Sequence, residues 1–305
     1  MLRSAAGEPP DENTRTERSV CPLPSSGVAA PNTGNERPST YARRSGPIVG
    51  FGPSVRSSSR KGCTLTGFTA ITYNLWHGLG ERDLDDLVDE HRPDLLHLQE
   101  AAPGLPTRIG ALQRVAMSSG GGYGVALFVR QDRFRVEAAA ALHVPRSIHD
   151  RLMRTTSERL GAARILDEES GARLVVGSLH ATPLTDPNAV RRVQIDAALR
   201  ALGDLGPQLP VFLAGDLNYP HLTRLLDRHV RRAGWTVARS AVGTYIGRGP
   251  VWGAFDVALS RGLAVERATT LPAGSSDHRP VLFEGRLESV DVRARETAAS
   301  GHVAD

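Results

Sequence analysis

Four short apolar runs in this chain end in side chains that can bind a hard cation, move a proton or grip an oxyanion. They are Ala70-Ile71-Thr72-Tyr73-Asn74, Asp94-Leu95-Leu96-His97-Leu98-Gln99-Glu100, Leu174-Val175-Val176-Gly177-Ser178-Leu179-His180 and Val211-Phe212-Leu213-Ala214-Gly215-Asp216-Leu217-Asn218. A fifth block, Ser276-Asp277-His278-Arg279-Pro280, sets an aspartate beside a histidine in a loop of Ser and Gly. Short runs rich in branched residues and bounded by Gly or Pro read as buried strands, so their polar ends fall where a sheet meets solvent. Carboxylates, carboxamides and two imidazoles converging there suit metal-assisted or acid–base attack on an ester.

Taken singly, each residue keeps a blander reading. Glu100 is either an oxygen ligand for Mg²⁺ or Mn²⁺ or a solvated strand-end charge. Asp216 and Asn218, two apart, face the same side if the strand continues past them, whereas an Asx turn would explain them equally simply. Asn74 could cap a turn, Asp256 a loop, and His180 or His278 could be an ordinary surface histidine. Trp76 is expected to pack in the core and His77 to lie in a loop.

The elements that would hold these residues are strands alternating with helical patterns. Asp83-Leu84-Asp85-Asp86-Leu87-Val88-Asp89-Glu90 precedes the run that ends at Glu100. Val190, Val193, Ala197 and Leu202 predict a helix from Pro187 to about Leu202, between the His180 and Asp216 strands, which makes a β-helix-β unit. Residues 1–66 are dense in Pro, Gly, Ser, Arg and Asn, without periodicity, and read as a disordered tail; a short polar tail follows from 288 to 305. The intervening residues 67–287 read as one catalytic domain.

Composition narrows the class. With 305 residues, 40% hydrophobic and 23% charged, the chain has enough apolar material for one sizeable core. No apolar stretch approaches the roughly 18 residues of a membrane span, and the first thirty residues hold no apolar signal segment. The expectation is a cytoplasmic monomer with no transmembrane segment and no stable protein partner. Residues 1–66 carry nine Lys or Arg against five Asp or Glu, so the whole net charge of +4 lies there and residues 67–305 balance to zero. A nucleic-acid footprint would normally sit on the domain that touches phosphate, so the basicity argues little for DNA. Cys21 and Cys63 both precede the domain, which leaves no disulfide framework and no cysteine zinc site. No Gly-x-Ser-x-Gly elbow, Walker loop, His-Glu-x-x-His helix or Gly-x-Gly-x-x-Gly turn after a strand is present.

The ordered series Asn74, Gln99-Glu100, His180, Asp216-x-Asn218, Asp256 and Asp277-His278 resembles the endonuclease/exonuclease/phosphatase superfamily, whose fold is that of pancreatic deoxyribonuclease. The resemblance spans about residues 67–287. It implies a four-layer α/β sandwich, two packed mixed β-sheets flanked by helices. It also implies hydrolysis of a phosphoester with Mg²⁺ or Mn²⁺ by water attack on phosphorus, most simply by a phosphodiesterase or nuclease. By that resemblance Glu100 is the main metal ligand, Asn74 a metal or phosphate contact and Asp277 a further ligand or support. Asp216 would orient or deprotonate the water, and Asn218 and His180 would bond the phosphoryl oxygens. His278, paired with Asp256, would contact phosphate or assist proton transfer. Phosphomonoester or lipid phosphodiester hydrolysis, and a non-catalytic binding role, are the alternatives.

In one place the chain departs from the nuclease pattern. Leu75-Trp76-His77 follows Asn74, where several DNA-cleaving relatives carry an acidic residue two positions past the asparagine. The partner expected is a phosphoester substrate, nucleic acid among the candidates. The loops expected to choose it are Arg146–Arg154 and Tyr245–Trp252, which mix Arg with apolar or aromatic residues suited to phosphate plus a base or an acyl chain.

Overall fold

The computed structural model describes residues 65–118, 122–152, 156–247 and 252–288. The segments read as tails therefore lie outside the described residues, apart from residues 65, 66 and 288. In chain order the elements are β1 (Leu65–Asn74), α1 (Leu84–His91), β2 (Leu95–Ala101), β3 (Arg108–Ile109), β4 (Leu112–Met117), β5 (Gly124–Arg130) and β6 (Phe134–His143). Then come α2 (Ile148–Leu152), β7 (Glu158–Asp167), β8 (Arg173–His180), α3 (Asn188–Leu205), β9 (Val211–Asp216) and α4 (Thr223–Arg232). The last strands are β10 (Thr236–Ala238), β11 (Asp256–Arg261), β12 (Ala264–Thr270) and β13 (Val281–Glu288).

The strands form two mixed sheets, ordered β12-β13-β1-β2-β5-β4-β3 and β10-β11-β9-β8-β7-β6. Each has one parallel pair at its centre, β1 with β2 and β8 with β9, and antiparallel neighbours outside it. Period-two alternation decides which residues meet between the sheets. Phe68, Ala70, Leu95, Leu174, Val176, Phe212, Ala214 and Ala258 pack there. Ile71, Tyr73, Leu96 and Leu98 point outward against Leu84 and Val88 of α1. Val175, Leu179 and Leu213 point outward against Ile195, Ala198 and Leu202 of α3 and Leu226 and Val230 of α4. The result is helix, sheet, sheet, helix.

Along the inter-sheet faces composition grades from apolar to polar toward one end. β1 reads Phe68, Ala70, Thr72, Asn74; β2 reads Leu95, His97, Gln99; β8 reads Leu174, Val176, Ser178, His180; β9 reads Phe212, Ala214, Asp216. The polar steps are paired across the gap: Gln99 Nε2 donates to Ser178 Oγ at 3.1 Å, Ser178 Oγ to the Leu98 carbonyl at 3.1 Å, and His97 Nδ1 lies 2.9 Å from the Gly177 carbonyl. The parallel strands deliver their last residues at this end of the sandwich.

The helix expected from Pro187 begins one residue later and runs to Leu205, with Pro187 itself extended just ahead of it. The stretch expected to be helical from Asp83 to Glu90 is α1, Leu84–His91, entered through a 3-10 turn over Leu79–Asp83. Neither α2 nor α4 was expected; α4 buries only Leu226 and Val230 among arginines, too sparse an apolar stripe to be read alone.

Candidate active site

The two parallel units set the frame. The last registered pair of β1 and β2 is Asn74↔Gln99, and that of β8 and β9 is His180↔Asp216. Leu179 lies against Gly215, where a Cβ would run into the Leu179 carbonyl oxygen. Only glycine lets these two strands approach closely enough to carry His180 and Asp216 side by side.

Simple alternation would turn Glu100 away from Gln99, to the helix side. A bulge between Leu98 and Ala101 in the pairing with β5, with Glu100 at φ 52°, rotates its carboxylate back to the site. Bulges re-aim side chains in this way, at a local backbone cost. Glu100 Oε2 then accepts the His77 N–H at 3.0 Å, and Oε1 accepts Asn74 Nδ2 at 3.3 Å. Asn74 Nδ2 also donates to Asp216 Oδ2 at 2.9 Å, so one carboxamide joins the two units.

Asp216 is buried, and its Oδ1 accepts the Asn218 N–H at 2.8 Å. The extended geometry does not persist beyond β9. Asn218 takes φ 49°, which asparagine tolerates better than most residues, and its Nδ2 donates to the Ala181 carbonyl at 3.1 Å. The Asx turn is thus real, and Asn218 braces the Asp216 carboxylate through its backbone. His180 Nε2 lies 3.8 Å from both Glu100 Oε1 and Asp216 Oδ2.

His278 Nδ1 meets Asp256 Oδ2 at 2.8 Å while its Nε2 points at Asp216 Oδ2, 3.8 Å away. Asp256 opens β11 directly across from Asp216. The ring is held edge-on between Tyr245 and Phe255, with centroids 5.3 and 5.7 Å away. Its loop is tied down by Ser276, whose Oγ donates to the Asn74 carbonyl at 2.6 Å and accepts the His278 N–H at 3.0 Å. Asp83 accepts from the Ser275 N–H and hydroxyl, both at 2.7 Å, and from Tyr73 Oη at 2.8 Å.

These surroundings split the titrating groups. Burial pushes Asp216 up to about 7, against the pull of His278. Burial opposes charge on His278, but the Asp256 carboxylate outweighs it and the ring is pushed up to about 10. His180 is pushed down to about 4 by burial and by the charge of Arg159. Glu100 ends below its usual range because His180, the His77 N–H and the Asn74 amide outweigh its partial burial. At neutral pH the site therefore holds an imidazolium at His278, a neutral His180 and a carboxyl at Asp216 poised to take or give a proton.

Among the described residues no three of His, Cys, Asp and Glu converge closely enough to hold a metal ion by themselves. The donor set at Glu100, Asp277 and the Asn74 carboxamide nevertheless suits Mg²⁺ or Mn²⁺, which take one or two carboxylates and keep several waters. Burial, and the negative charge of Glu100, raise Asp277; a divalent cation beside both would relieve that crowding.

All eight expected residues lie at this end of the sandwich. Trp76 departs from expectation: it is 41% exposed in a left-handed turn, not core. His77 does lie in a loop, stacked on Tyr123 with ring centroids 5.0 Å apart. Sequence reasoning missed the His77 N–H, Asp83, Tyr73 and Arg159. A backbone N–H leaves no mark in a sequence, and Asp83 looked like an ordinary helix start. Arg159 had a detectable signal, an arginine in phase with the inward Gly161, Ala163 and Ile165 of β7.

This architecture is that of an α/β sandwich hydrolase. Residues 71–278 match the model of the endonuclease/exonuclease/phosphatase family, and the chain belongs to that family, whose members are phosphoester hydrolases that generally use divalent metals. No curated protein matches the sequence. Among solved structures, an endonuclease/exonuclease/phosphatase family protein from Bacteroides thetaiotaomicron superposes with a TM-score of 0.61 at 16% identity, covering 73% of this chain and 99% of that one. The mannosyl-6-phosphatase Bt3783 of B. thetaiotaomicron VPI-5482 does so at 0.57 and 16%, covering 72% and 99%. D. rerio TDP2 in complex with single strand DNA product does so at 0.56 and 17%, again covering 72% and 99%. At such identities the likeness is one of fold. Among the described residues no helix is long and apolar enough to cross a membrane.

Proposed function

We propose that residues 67–287 form a phosphodiesterase domain that depends on Mg²⁺ or Mn²⁺ and directs water onto phosphorus. The observation that carries this reading is the buried Asp216 carboxyl at about 7, held by Asn74 and Asn218 and facing the imidazolium of His278. A general base is most effective when its pKa lies near the working pH. Asp216 is placed to take the proton of the attacking water. His278, kept charged by Asp256, is placed to donate through Nε2 to an oxygen of the phosphoryl group, where negative charge grows. His180, neutral, donates beside it. Glu100, Asn74 and Asp277 would hold the cation, which supplies Lewis-acid neutralisation of phosphoryl charge when bound.

The flanking loops favour a substrate with an apolar or aromatic portion. Ile148, Leu152 and Trp252 are 75%, 77% and 78% exposed, with Ile246 at 41%; residues 153–155 and 248–251 of these loops lie outside the described residues. A net charge of zero over 67–305 gives no reason to favour a long nucleic acid over a small or lipid-like phosphoester.

The test is hydrolysis of bis-p-nitrophenyl phosphate and p-nitrophenyl phosphate by wild type and His278→Ala, with Mg²⁺, with Mn²⁺ and with EDTA. Diester cleavage that needs both metal and His278 is expected. Cleavage of the monoester alone would move the protein to the phosphatases, and full activity in His278→Ala would remove this site from the reaction.

A further inference from the structure

Helix α4 meets the rest of the fold on one side only. Leu226 and Val230 are its buried residues. At about 3.6 residues per turn, Arg224, Arg228, Arg231 and Arg232 fall on the opposite side, and all four are exposed. Like charges three and four residues apart on a helix repel one another. The nearby acids do not relieve them, because Asp227 pairs with Arg239 at 2.7 Å and Asp196 with His229 at 2.8 Å. Among the described residues none of the four arginines has an ion-pair partner.

The start of α4 is costly as well. Its N-cap is Leu222, left-handed at φ 57°, 63% exposed and without a side-chain cap. Ser, Asp or Asn would cap it better, and leucine seldom takes a positive φ. Leu225, on the outward side, is 43% exposed. Because β9 ends at Asp216 and α4 begins at Thr223, these leucines stand toward the active-site end. Pro220, just ahead of them, lies so close to Gly253 that a Cβ there would meet it at 2.8 Å, and Gly253 adjoins the exposed Trp252.

Uncompensated charge, an uncapped start and exposed leucines each work against the fold, and such local conflicts are expected at functional surfaces. Together they have the composition of a helix that lies on a membrane, with arginine for the phosphate head groups and Leu and Trp for the acyl boundary. Arg224 to Arg232 span about 12 Å along one face, so a flat anionic surface can reach all four at once. A nucleic-acid backbone would match the arginines and leave the apolar side chains without a role. We propose that the outward face of α4, with Leu222, Leu225 and Trp252, docks the domain on an anionic lipid bilayer and sets its active-site end at the membrane surface. Docking needs no turnover and is independent of the phosphoester reading.

The experiment is co-sedimentation of the full chain with vesicles of phosphatidylcholine alone and of equimolar phosphatidylcholine and phosphatidylserine. Wild type is compared with Arg224→Gln/Arg228→Gln and with Leu222→Asn/Leu225→Gln, each checked for folding by circular dichroism and thermal melting, and binding of duplex DNA is measured in parallel. Wild type should partition onto the anionic vesicles and not onto phosphatidylcholine. At about fivefold per arginine, the arginine variant should bind them about five- to thirtyfold more weakly. The leucine variant should also bind more weakly while melting no lower than wild type, since asparagine tolerates the left-handed cap better. Absence of partition by wild type overturns the proposal, and so does unchanged partition in the arginine variant, which would assign the attraction to another part of the chain. Loss in the arginine variant alone, with DNA binding that follows the same arginines, overturns it in favour of a nucleic-acid surface. Should the arginine variant fail to fold, the leucine variant decides, because weaker binding without loss of thermal stability is not explained by a structural role. Hydrolysis of bis-p-nitrophenyl phosphate should be unchanged in both variants, so failure of docking and failure of the hydrolase reading are read separately.

Discussion

The units β1-α1-β2 and β8-α3-β9 share one topology, and each ends in a carboxylate, yet the two carboxylates sit in different surroundings. Glu100 is 21% exposed at its side chain, braced by a backbone N–H and held in its charged form. Asp216 is 2% exposed and pushed up to about 7. Position at a strand end puts a carboxylate at the site, and depth decides what it can do there. The exposed one suits a permanent charge for a cation, and the buried one suits a proton that comes and goes.

The largest effect expected from breaking this contrast is Asp216→Asn. Loss of the base should lower kcat about a hundred- to ten-thousandfold. The pH profile reports it directly. A base must be deprotonated, so the wild-type rate should rise through pH about 7, and a cationic donor must keep its proton, so the rate should fall again near pH 10. The Asn variant should lose the rising limb; a limb that survives assigns the base elsewhere.

A smaller effect on rate, of a different kind, is expected from Glu100→Gln. The cation concentration for half-maximal activity should rise at least about tenfold, with kcat at saturating metal falling less than in Asp216→Asn. Mn²⁺ titration followed by electron spin resonance measures the same loss without turnover. Equal metal affinity in wild type and variant would take Glu100 out of the cation site.

The smallest effect concerns the inward histidines of the same two units. His180 ends β8 at the site, whereas His97 lies mid-strand between the sheets, pushed from 6.5 down to about 4 by burial. Its folded pKa is depressed, so the unfolded chain binds the proton first, and stability should fall as pH drops from about 6.5 to about 4. That shift corresponds to up to about 3 kcal/mol. Urea denaturation at pH 7 and pH 4.5 should show a smaller loss in His97→Leu than in wild type. An equal loss in both would mean that other groups drive the acid sensitivity.

Much of this site was legible because strands announce themselves by apolar periodicity and their polar ends then stand out. Asn74, Glu100, His180 and Asp216 could be placed at sheet ends, and the β-helix-β unit through Val190–Leu202 could be read, on that ground alone. The rest depends on atoms that sequence does not order. A bulge, not alternation, aims Glu100, and nothing in Leu98-Gln99-Glu100-Ala101 signals it. Asn218 leaves the strand in an Asx turn, a choice two residue types alone could not decide. Arg159 is 21 residues before His180, and only antiparallel pairing brings them together.

By its own order of residues, then, the chain determined the strands, the inward and outward faces of each, and the identity of the groups at their ends, because these follow from local periodicity and solvation. The tertiary structure alone decided how deeply each group is buried and which charges face it. Burial and Coulomb interaction depend on distances through space, and these bring Asp216 up to neutrality and lift His278 well above it.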